Sequence, residues 1–299
     1  NETAKGVAWQ CEQLEKAENC LFKRGDVTGN GNYSIGLVDE NGKIRRVIYM
    51  MDSHGYSIGA GLAQDQIDWF KGVAASIDAA YGEKVPAFAC YHIASLDFQT
   101  AYVEKYGYSA NATFNLDETG RDGDFGQKSE ELSMFPTTLA PDLKAANVEG
   151  VFIGHDHRNN YSIEHDGIRY TYGTKSGTYD SHNTNNVGGT LIQVMADGRF
   201  KVSHKYLNID EMSNRESASM TVTFMSDLHF DSNDYGDFHC TDAETKLSHI
   251  INETQGSRFY VNLGDTVNSL PNGLLNNFYD AISAMKAINK MGNTTILLQ

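Results

Sequence analysis

Histidine and aspartate side chains follow short apolar segments at four separate places in this chain. The four segments end in Tyr91-His92, Gly154-His155-Asp156-His157, Ser226-Asp227-Leu228-His229 and Gly264-Asp265. Imidazole nitrogens and carboxylate oxygens together suit borderline divalent metals such as zinc, manganese and iron. Core packing alone rarely ends an apolar segment in such residues, so the fourfold repetition predicts a metal site.

Each of these motifs, taken alone, has an ordinary structural explanation. An Asp-x-His often arises by chance, a Gly-Asp after a strand is usually a turn, and His92 alone would be a hydrogen-bonded histidine at a strand end. The pair His155 and His157 is more informative, because two imidazoles at i and i+2 after a buried strand point the same way. The metal interpretation therefore depends on the whole set.

Strands and helices alternate along most of the chain, which predicts an α/β layered domain. Residues 63–81 predict a helix because apolar residues such as Ile67 and Phe70 repeat there at helical spacing. Residues 167–207 predict an antiparallel meander or hairpins packed on one sheet. Ligands collect at the carboxyl ends of strands in an open α/β sheet, so the strands would bring the four motifs to one edge. The other predicted helices cover 139–146, 242–251 and 273–289, and the predicted strands cover 46–51, 86–91, 150–153, 219–225, 259–263 and 294–298.

The composition limits the classes of partner. The chain has 299 residues and a formal charge of −15, which repels polyanions, so we do not expect a long nucleic acid as a partner. A small phosphate ester can still bind where cations reverse the local field. No apolar run is long enough to span a membrane. Cys11 and Cys20 either pair across a short loop or stay unpaired. The oligomeric state is not indicated, and we expect an extracytoplasmic rather than a cytoplasmic location.

Four segments, FMSDLHFD, VNLGDTVN, AFACYHIAS and VFIGHDHRN, resemble successive motifs of the calcineurin-like metallophosphoesterase family. The segments QIDWF and YTYGTKSG are most similar to the branch of enzymes like purple acid phosphatases and cyclic-nucleotide phosphodiesterases. The resemblance covers most of the chain. It implies a four-layer α/β/β/α sandwich that holds two divalent or trivalent metal ions, which would be zinc, manganese or iron.

The same resemblance implies how six residues divide between the two metals. The first metal would be held by Asp227, His229 and His157. The second would be held by His92 and His155, and Asp265 would bridge the two. Of these, Asp265, His92 and His155 would be the catalytic residues. His54 follows another predicted strand, which the family layout places in the scaffold, and it is a candidate substrate-binding residue.

The order of the motifs departs from the family pattern. In the usual order the Asp-x-His and Gly-Asp motifs come first, whereas here they follow the histidine motifs. The chain therefore resembles a circularly permuted single domain over residues 1–299. Residues 1–212 would be the family's C-terminal part and 216–299 its N-terminal part, with a junction near 208–217. A fragment spanning two tandem domains would give the same order, and we favour the permutation.

These features predict a metal-dependent hydrolase of small phosphate mono- or diesters, in which a metal-bridging hydroxide attacks phosphorus. The alternative is a catalytically impaired module of this fold that binds metal or a protein partner. The reason for this alternative is the absence of the family's Gly-Asn-His motif. The motif is expected after residues 294–298 and does not occur in the sequence. A third interpretation is a structural metal site, although a single structural zinc needs only four ligands. The residues do not distinguish mono- from diesters.

Overall fold

The structure is a computed structural model, in which the protein folds as a mixture of β-sheets and a few helices. The described residues are 6–55, 61–107, 114–115, 123–177, 181–206, 220–227, 250, 252–254, 257, 259–263 and 294–297. The helices within these ranges are Val7–Lys16 (α1), Gln64–Tyr81 (α2), Leu96–Tyr106 (α3), Ala140–Ala145 (α4) and the short 3-10 helix Thr184–Asn186.

Fifteen strands are described, and most of them belong to two larger sheets. They are Tyr33–Val38 (β1), Ile44–Met50 (β2), Ala87–Cys90 (β3), Ala94–Ser95 (β4), Phe114–Asn115 (β5), Gln127–Lys128 (β6), Met134–Phe135 (β7), Val148–Ile153 (β8), Ser162–His165 (β9), Ile168–Tyr172 (β10), Gly188–Val194 (β11), Phe200–Tyr206 (β12), Met220–Met225 (β13), Phe259–Asn262 (β14) and Thr294–Leu297 (β15). The predicted α/β class is confirmed.

The first sheet has six strands in the order β1-β2-β3-β8-β10-β9. Strands β2, β3, β8 and β10 run parallel, and β1 and β9 pair antiparallel at the two edges. Strand β3, with the sequence AFAC, is buried along its whole length. A central parallel strand is covered on both faces, which is why it contains no alternating polar residues.

The second sheet has five strands in the order β12-β11-β13-β14-β15. Strand β11 pairs antiparallel with both β12 and β13, and β13, β14 and β15 run parallel. The hairpin of β11 and β12 agrees with the prediction for residues 167–207. The prediction of a single sheet for that region was wrong, because β10 pairs with β8 in the first sheet and the chain then crosses to the second.

Two apolar cores lie on opposite faces of the first sheet. One core packs α2, α3 and α4 against the sheet, and the other lies between the two sheets. In the second core the ring of Phe152 on β8 stacks on Phe224 of β13, with centroids 4.7 Å apart. The described residues thus form a helical layer and two sheet layers. Except for residue 250, the helices predicted at 242–251 and 273–289 lie outside the described residues, as does the predicted junction at 208–217.

Helix α2 confirms the helix predicted over residues 63–81. It buries Ile67 and Phe70 against the first sheet and ends at Gly82, whose left-handed φ of 68° closes the last turn. The side chain of Gln66 is also buried, and its Nε2 donates a hydrogen bond of 2.8 Å to the main-chain oxygen of Asp52. This bond fixes the start of the helix against the residues that follow β2.

Two further expectations concern membranes and cysteines. Within the described ranges, no helix combines the length and the apolar composition that a bilayer crossing requires. Within the described residues, Cys11, Cys20 and Cys90 form no disulfide. Cys11 and Cys20 therefore do not pair with each other across the short loop.

Candidate metal centre

The carboxyl ends of parallel strands from both sheets meet along one edge of the molecule. The main-chain N–H of Gly154, after β8, donates to the oxygen of His92, after β3, at 3.1 Å. A parallel bridge between Lys175 and Ser226 joins the end of β10 to the end of β13. Four of the predicted ligands therefore lie on this edge: His92, His155, His157 and Asp227.

Asp227 and His157 are in contact although they come from different sheets. His157 Nε2 lies 3.0 Å from Asp227 Oδ1, and the two side chains are 12% and 2% exposed. The other carboxylate oxygen, Oδ2, accepts a hydrogen bond from Ser226 Oγ. Among the described residues, no donor is aligned for a regular hydrogen bond to Oδ1, which is buried. A buried carboxylate oxygen in this position is suited to a cation.

The surroundings of Asp227 keep its carboxyl group ionised. Burial alone would raise the pKa of Asp227, but the close contact with His157 and the nearby His92 and Lys175 hold this pKa well below its usual range. Metal ligands must be deprotonated to bind. The carboxylate is thus already in the form that coordinates a metal.

The imidazoles of His92 and His155 form a second pair. His155 Nδ1 lies 3.3 Å from His92 Nε2, and the two rings meet edge to face with centroids 5.1 Å apart. On its other side, His92 Nδ1 lies 2.7 Å from the main-chain oxygen of Leu263. A carbonyl oxygen can only accept, so Nδ1 carries a proton, and in the neutral imidazole the lone pair lies on Nε2, facing His155.

The spacing within each pair fits two ligands of one ion. With metal–ligand distances of about 2.0–2.1 Å, adjacent ligand atoms are about 2.9 Å apart at right angles and about 3.4 Å apart at a tetrahedral angle. The His92–His155 distance of 3.3 Å and the His157–Asp227 distance of 3.0 Å lie within this interval. The same spacing also allows each pair to share a proton. The residues present therefore fit a metal ion in donor type, ionisation and separation.

Two of the four residues have an unusual backbone conformation. His155 and Asp227 have φ values of 78° and 55°, in the left-handed region that favours glycine. This conformation costs on the order of 1–2 kcal/mol for a residue with a side chain. The main-chain oxygen of Asp227 accepts hydrogen bonds from Gly177 N at 3.2 Å and Lys175 Nζ at 3.1 Å. At about 0.5–1.5 kcal/mol each, two such bonds can offset the strain.

Gly154 allows the two sheets to approach each other at the centre. A Cβ atom at this position would lie 2.0 Å from Ser226 Oγ and 3.1 Å from Asp227 Oδ2. Any other residue there would displace the Ser226 hydroxyl, and its Cβ would still lie 3.1 Å from Ser226 Cβ. The glycine of the Gly-His-Asp-His motif is therefore required by a close approach between sheets.

The end of β2 supports the neighbouring strand end. Ser53 Oγ is buried and accepts hydrogen bonds from the N–H groups of His92 at 3.3 Å and Ile93 at 3.0 Å. The next residue, His54, has a left-handed φ of 57°, and its N–H donates to Asp52 Oδ1 at 2.8 Å. His54 Nε2 is buried, with no hydrogen-bond partner in the described part of the chain. Its role in substrate binding stays a prediction.

Asp156, between the two histidines, points away from them. Its carboxylate accepts hydrogen bonds from Tyr172 Oη at 2.7 Å and from the N–H of Ser133 at 3.2 and 3.1 Å. Burial raises the pKa of Asp156 to about 6, although the hydrogen bond from Tyr172 opposes this shift. These bonds anchor the loop that carries His155 and His157.

Lys175 was not among the residues singled out from the sequence. It lies in the segment GTKSG, three residues after the end of the buried strand β10, and the residue is only 3% exposed. A lysine is almost never fully buried unless it has a partner, so its position after an apolar run could have identified it. The Leu263 contact had no sequence signal, because the acceptor is a main-chain atom.

The other two predicted ligands, His229 and Asp265, lie outside the described residues. In the ranges that are described, no group of three or more His, Cys, Asp or Glu side chains is arranged to hold one metal ion. The described residues supply two pairs of candidate ligands, one from the ends of β8 and β13 and the other from the ends of β3 and β8. The assignment of six ligands to two metals stays a prediction.

No protein-family model matches the chain, and no curated protein matches its sequence.

Proposed function

We propose that this chain is a metal-dependent hydrolase of small phosphate mono- or diesters with a dinuclear metal centre. The proposal includes the fold implied by the motif resemblance, a circularly permuted four-layer α/β/β/α sandwich. The observation that supports it most is the convergence of two donor pairs, His157 with Asp227 and His92 with His155, at ligand spacing on one edge.

The described residues have distinct roles in this proposal. Asp227 and His157 would hold one ion, and His92 and His155 would hold the other. The motif resemblance adds His229 to the first ion and Asp265 as the bridge between them. A pair of such ions, when bound, polarises a phosphoryl group and supplies a nucleophile at neutral pH.

The chain itself contributes orientation and charge. The carbonyl of Leu263 holds the proton of His92 on Nδ1, so Nε2 is always the donor to a metal. The buried ammonium of Lys175 lies beside Asp227 in a protein with a net charge of −15. The ammonium offsets the negative charge of Asp227, and bound cations would then reverse the local field for an anionic ester that approaches this edge.

The test combines metal analysis with hydrolysis of two generic substrates, an aryl phosphate monoester and a bis-aryl phosphate diester. We expect the purified protein to bind two metal equivalents and to hydrolyse at least one of the two. Asp265→Asn and Asp227→Asn should each abolish hydrolysis and lower the metal content. His165→Gln is the matched control, because His165 contacts the exposed Glu104, at 2.8 Å, away from the centre.

Each outcome of this test has a different meaning. Full hydrolysis by Asp265→Asn contradicts the proposed function. Two bound metals with no turnover of either substrate support the alternative, a catalytically impaired module that binds metal or a protein partner. A single bound metal that stays after both substitutions would indicate a structural site built from other residues.

A further inference from the structure

We propose that Lys175 is a positioning residue that holds the carboxylate of Asp227 against His157. The inference rests on the proposed function, because it treats Asp227 as a metal ligand. Lys175 acts on the main chain, through the hydrogen bond of 3.1 Å from its Nζ to the Asp227 carbonyl oxygen.

The segment from Lys175 to Gly177 holds the residues that follow β13 along their main chain. Ser176 N donates to the oxygen of Ser226 at 2.8 Å, and Gly177 N donates to the oxygen of Asp227 at 3.2 Å. In return, Ser226 N donates to Ser176 Oγ at 3.3 Å. The two sheets are thus joined at their carboxyl edges next to the candidate ligands.

At this contact between the two sheets, Asp227 is the residue whose backbone conformation most needs support from hydrogen bonds. Its left-handed φ of 55° turns the chain sharply after β13, and this turn presents Oδ1 to His157 Nε2. Both hydrogen bonds to its carbonyl come from the Lys175–Gly177 segment. The bond from Lys175 is charged and buried, so it is the stronger of the two. Without it, only the bond from Gly177 holds this carbonyl, and the conformation that aims the carboxylate at His157 loses its stronger support.

Lys175 could also act on the metal only as a nearby positive charge, and the two roles have opposite consequences. An ammonium close to a cation site repels the cation, so removal of that charge alone would tighten metal binding. Removal of a support for the ligand geometry loosens metal binding, typically by about 10–100-fold for a group that orients a ligand. The sign of the change in metal affinity therefore separates the two roles.

The experiment measures the affinity of the full chain for Zn²⁺ by competition with a chromophoric chelator, and the visible absorption of bound Co²⁺. The variants are Lys175→Met, which removes the donor and the charge, and Lys175→Arg, which keeps both. We expect Lys175→Met to bind Zn²⁺ about 10–100-fold more weakly and to show an altered Co²⁺ spectrum. Lys175→Arg should recover most of the affinity. Lys128→Met is the matched control, since Lys128 is also buried and its ammonium lies over the ring of Tyr102.

The results separate this inference from the proposed function. If the unsubstituted chain binds no metal, the proposed function fails. If it binds metal and Lys175→Met binds equally or more tightly, the positioning role is overturned while the proposed function stands. If Lys175→Met does not fold, Lys175→Gln replaces it, since its side chain is also uncharged; Zn²⁺ binding weaker than that of the parent supports the positioning role, and equal or tighter binding overturns it.

Discussion

Replacement of Gly154 by alanine tests the approach of the two sheets most directly. The added Cβ would lie 2.0 Å from Ser226 Oγ, whereas Cβ atoms essentially never come closer than 3.0 Å to another heavy atom. Ser226 Oγ must therefore move by about 1 Å or more, by rotation of its side chain or by separation of the strand ends, and overpacking of this kind costs about 1–3 kcal/mol. We expect Gly154→Ala to lower the free energy of unfolding by that amount and to weaken metal binding.

A second substitution shows whether the clash with Ser226 is the cause. Ser226→Ala alone loses the hydrogen bond to the ionised Asp227, which is worth about 1.5–3 kcal/mol. It also removes the oxygen that the new Cβ would meet. The double variant should therefore cost at least about 1 kcal/mol less than the sum of the two single costs, whereas independent sites add within about 0.5 kcal/mol.

The assay is urea unfolding in the presence of a chelator, followed by circular dichroism. Gly72→Ala serves as the control, because Gly72 lies in α2 and a Cβ there meets no atom within 4 Å. That variant should gain about 0.5–1 kcal/mol, as alanine is favoured over glycine in a helix. A cost below about 0.5 kcal/mol for Gly154→Ala, or strict additivity in the double variant, would refute the reasoning.

Three further predictions concern groups around the two sheets. His54→Gly should raise the free energy of unfolding by about 1 kcal/mol, because it relieves a left-handed histidine; a loss of stability in urea would contradict this. Burial lowers the pKa of His204 to about 4, below the value in the unfolded chain. The contribution of neutral His204 to stability is therefore complete above about pH 6.5 and falls by up to about 3 kcal/mol towards pH 4. His204→Gln should show a smaller loss of stability than the parent between pH 7 and pH 4, in the same unfolding assay. Arg46→Met should change the free energy of unfolding by less than about 1 kcal/mol, since two nitrogens of the buried guanidinium have no hydrogen-bond partner among the described residues. Glu149→Ala should lower this free energy by more, because it removes the carboxylate that pairs with the Arg46 charge.

The strands that end in Asp or His could be predicted from the sequence. Strands β2, β3, β8, β13 and β14 all occur within two residues of their predicted bounds. Their signal was strong because a buried parallel strand is a continuous apolar run, and a polar residue marks its end. The same property brought four candidate ligands to one edge.

Helix α3 and strand β1 were not predicted, because neither has a clear pattern. Helix α3 contains several aromatic and β-branched residues, and its N-cap Ser95 makes no capping hydrogen bond to the helix. Ser95 Oγ instead donates to Asp97 at 2.7 Å. Strand β1 lies at a sheet edge and buries only Tyr33 and Leu37 fully. Local propensity was too weak in both cases, and tertiary packing decided the structure.

The supporting contacts of the candidate site could be predicted least. The positions of Lys175 and Ser53 depend on which strands become neighbours. The spacing of residues along the sequence does not give the order of the strands in the sheets. The left-handed conformation of His155 is likewise not readable from its residue type, since histidine has no intrinsic preference that requires it. Residue types identified the candidate ligands, whereas only the assembled sheets identified what holds them.

The main-chain acceptor for His92 has a consequence for how the two halves of the centre respond to mutation. No substitution at position 263 deletes the carbonyl oxygen that fixes the His92 tautomer, so this imidazole keeps its orientation while the apolar core around it changes. The stronger of the two hydrogen bonds to the Asp227 carbonyl comes instead from the ammonium of one side chain, Lys175. Sequence drift should therefore leave the histidine pair intact for longer, and a chain that loses its centre gradually should lose the carboxylate half first.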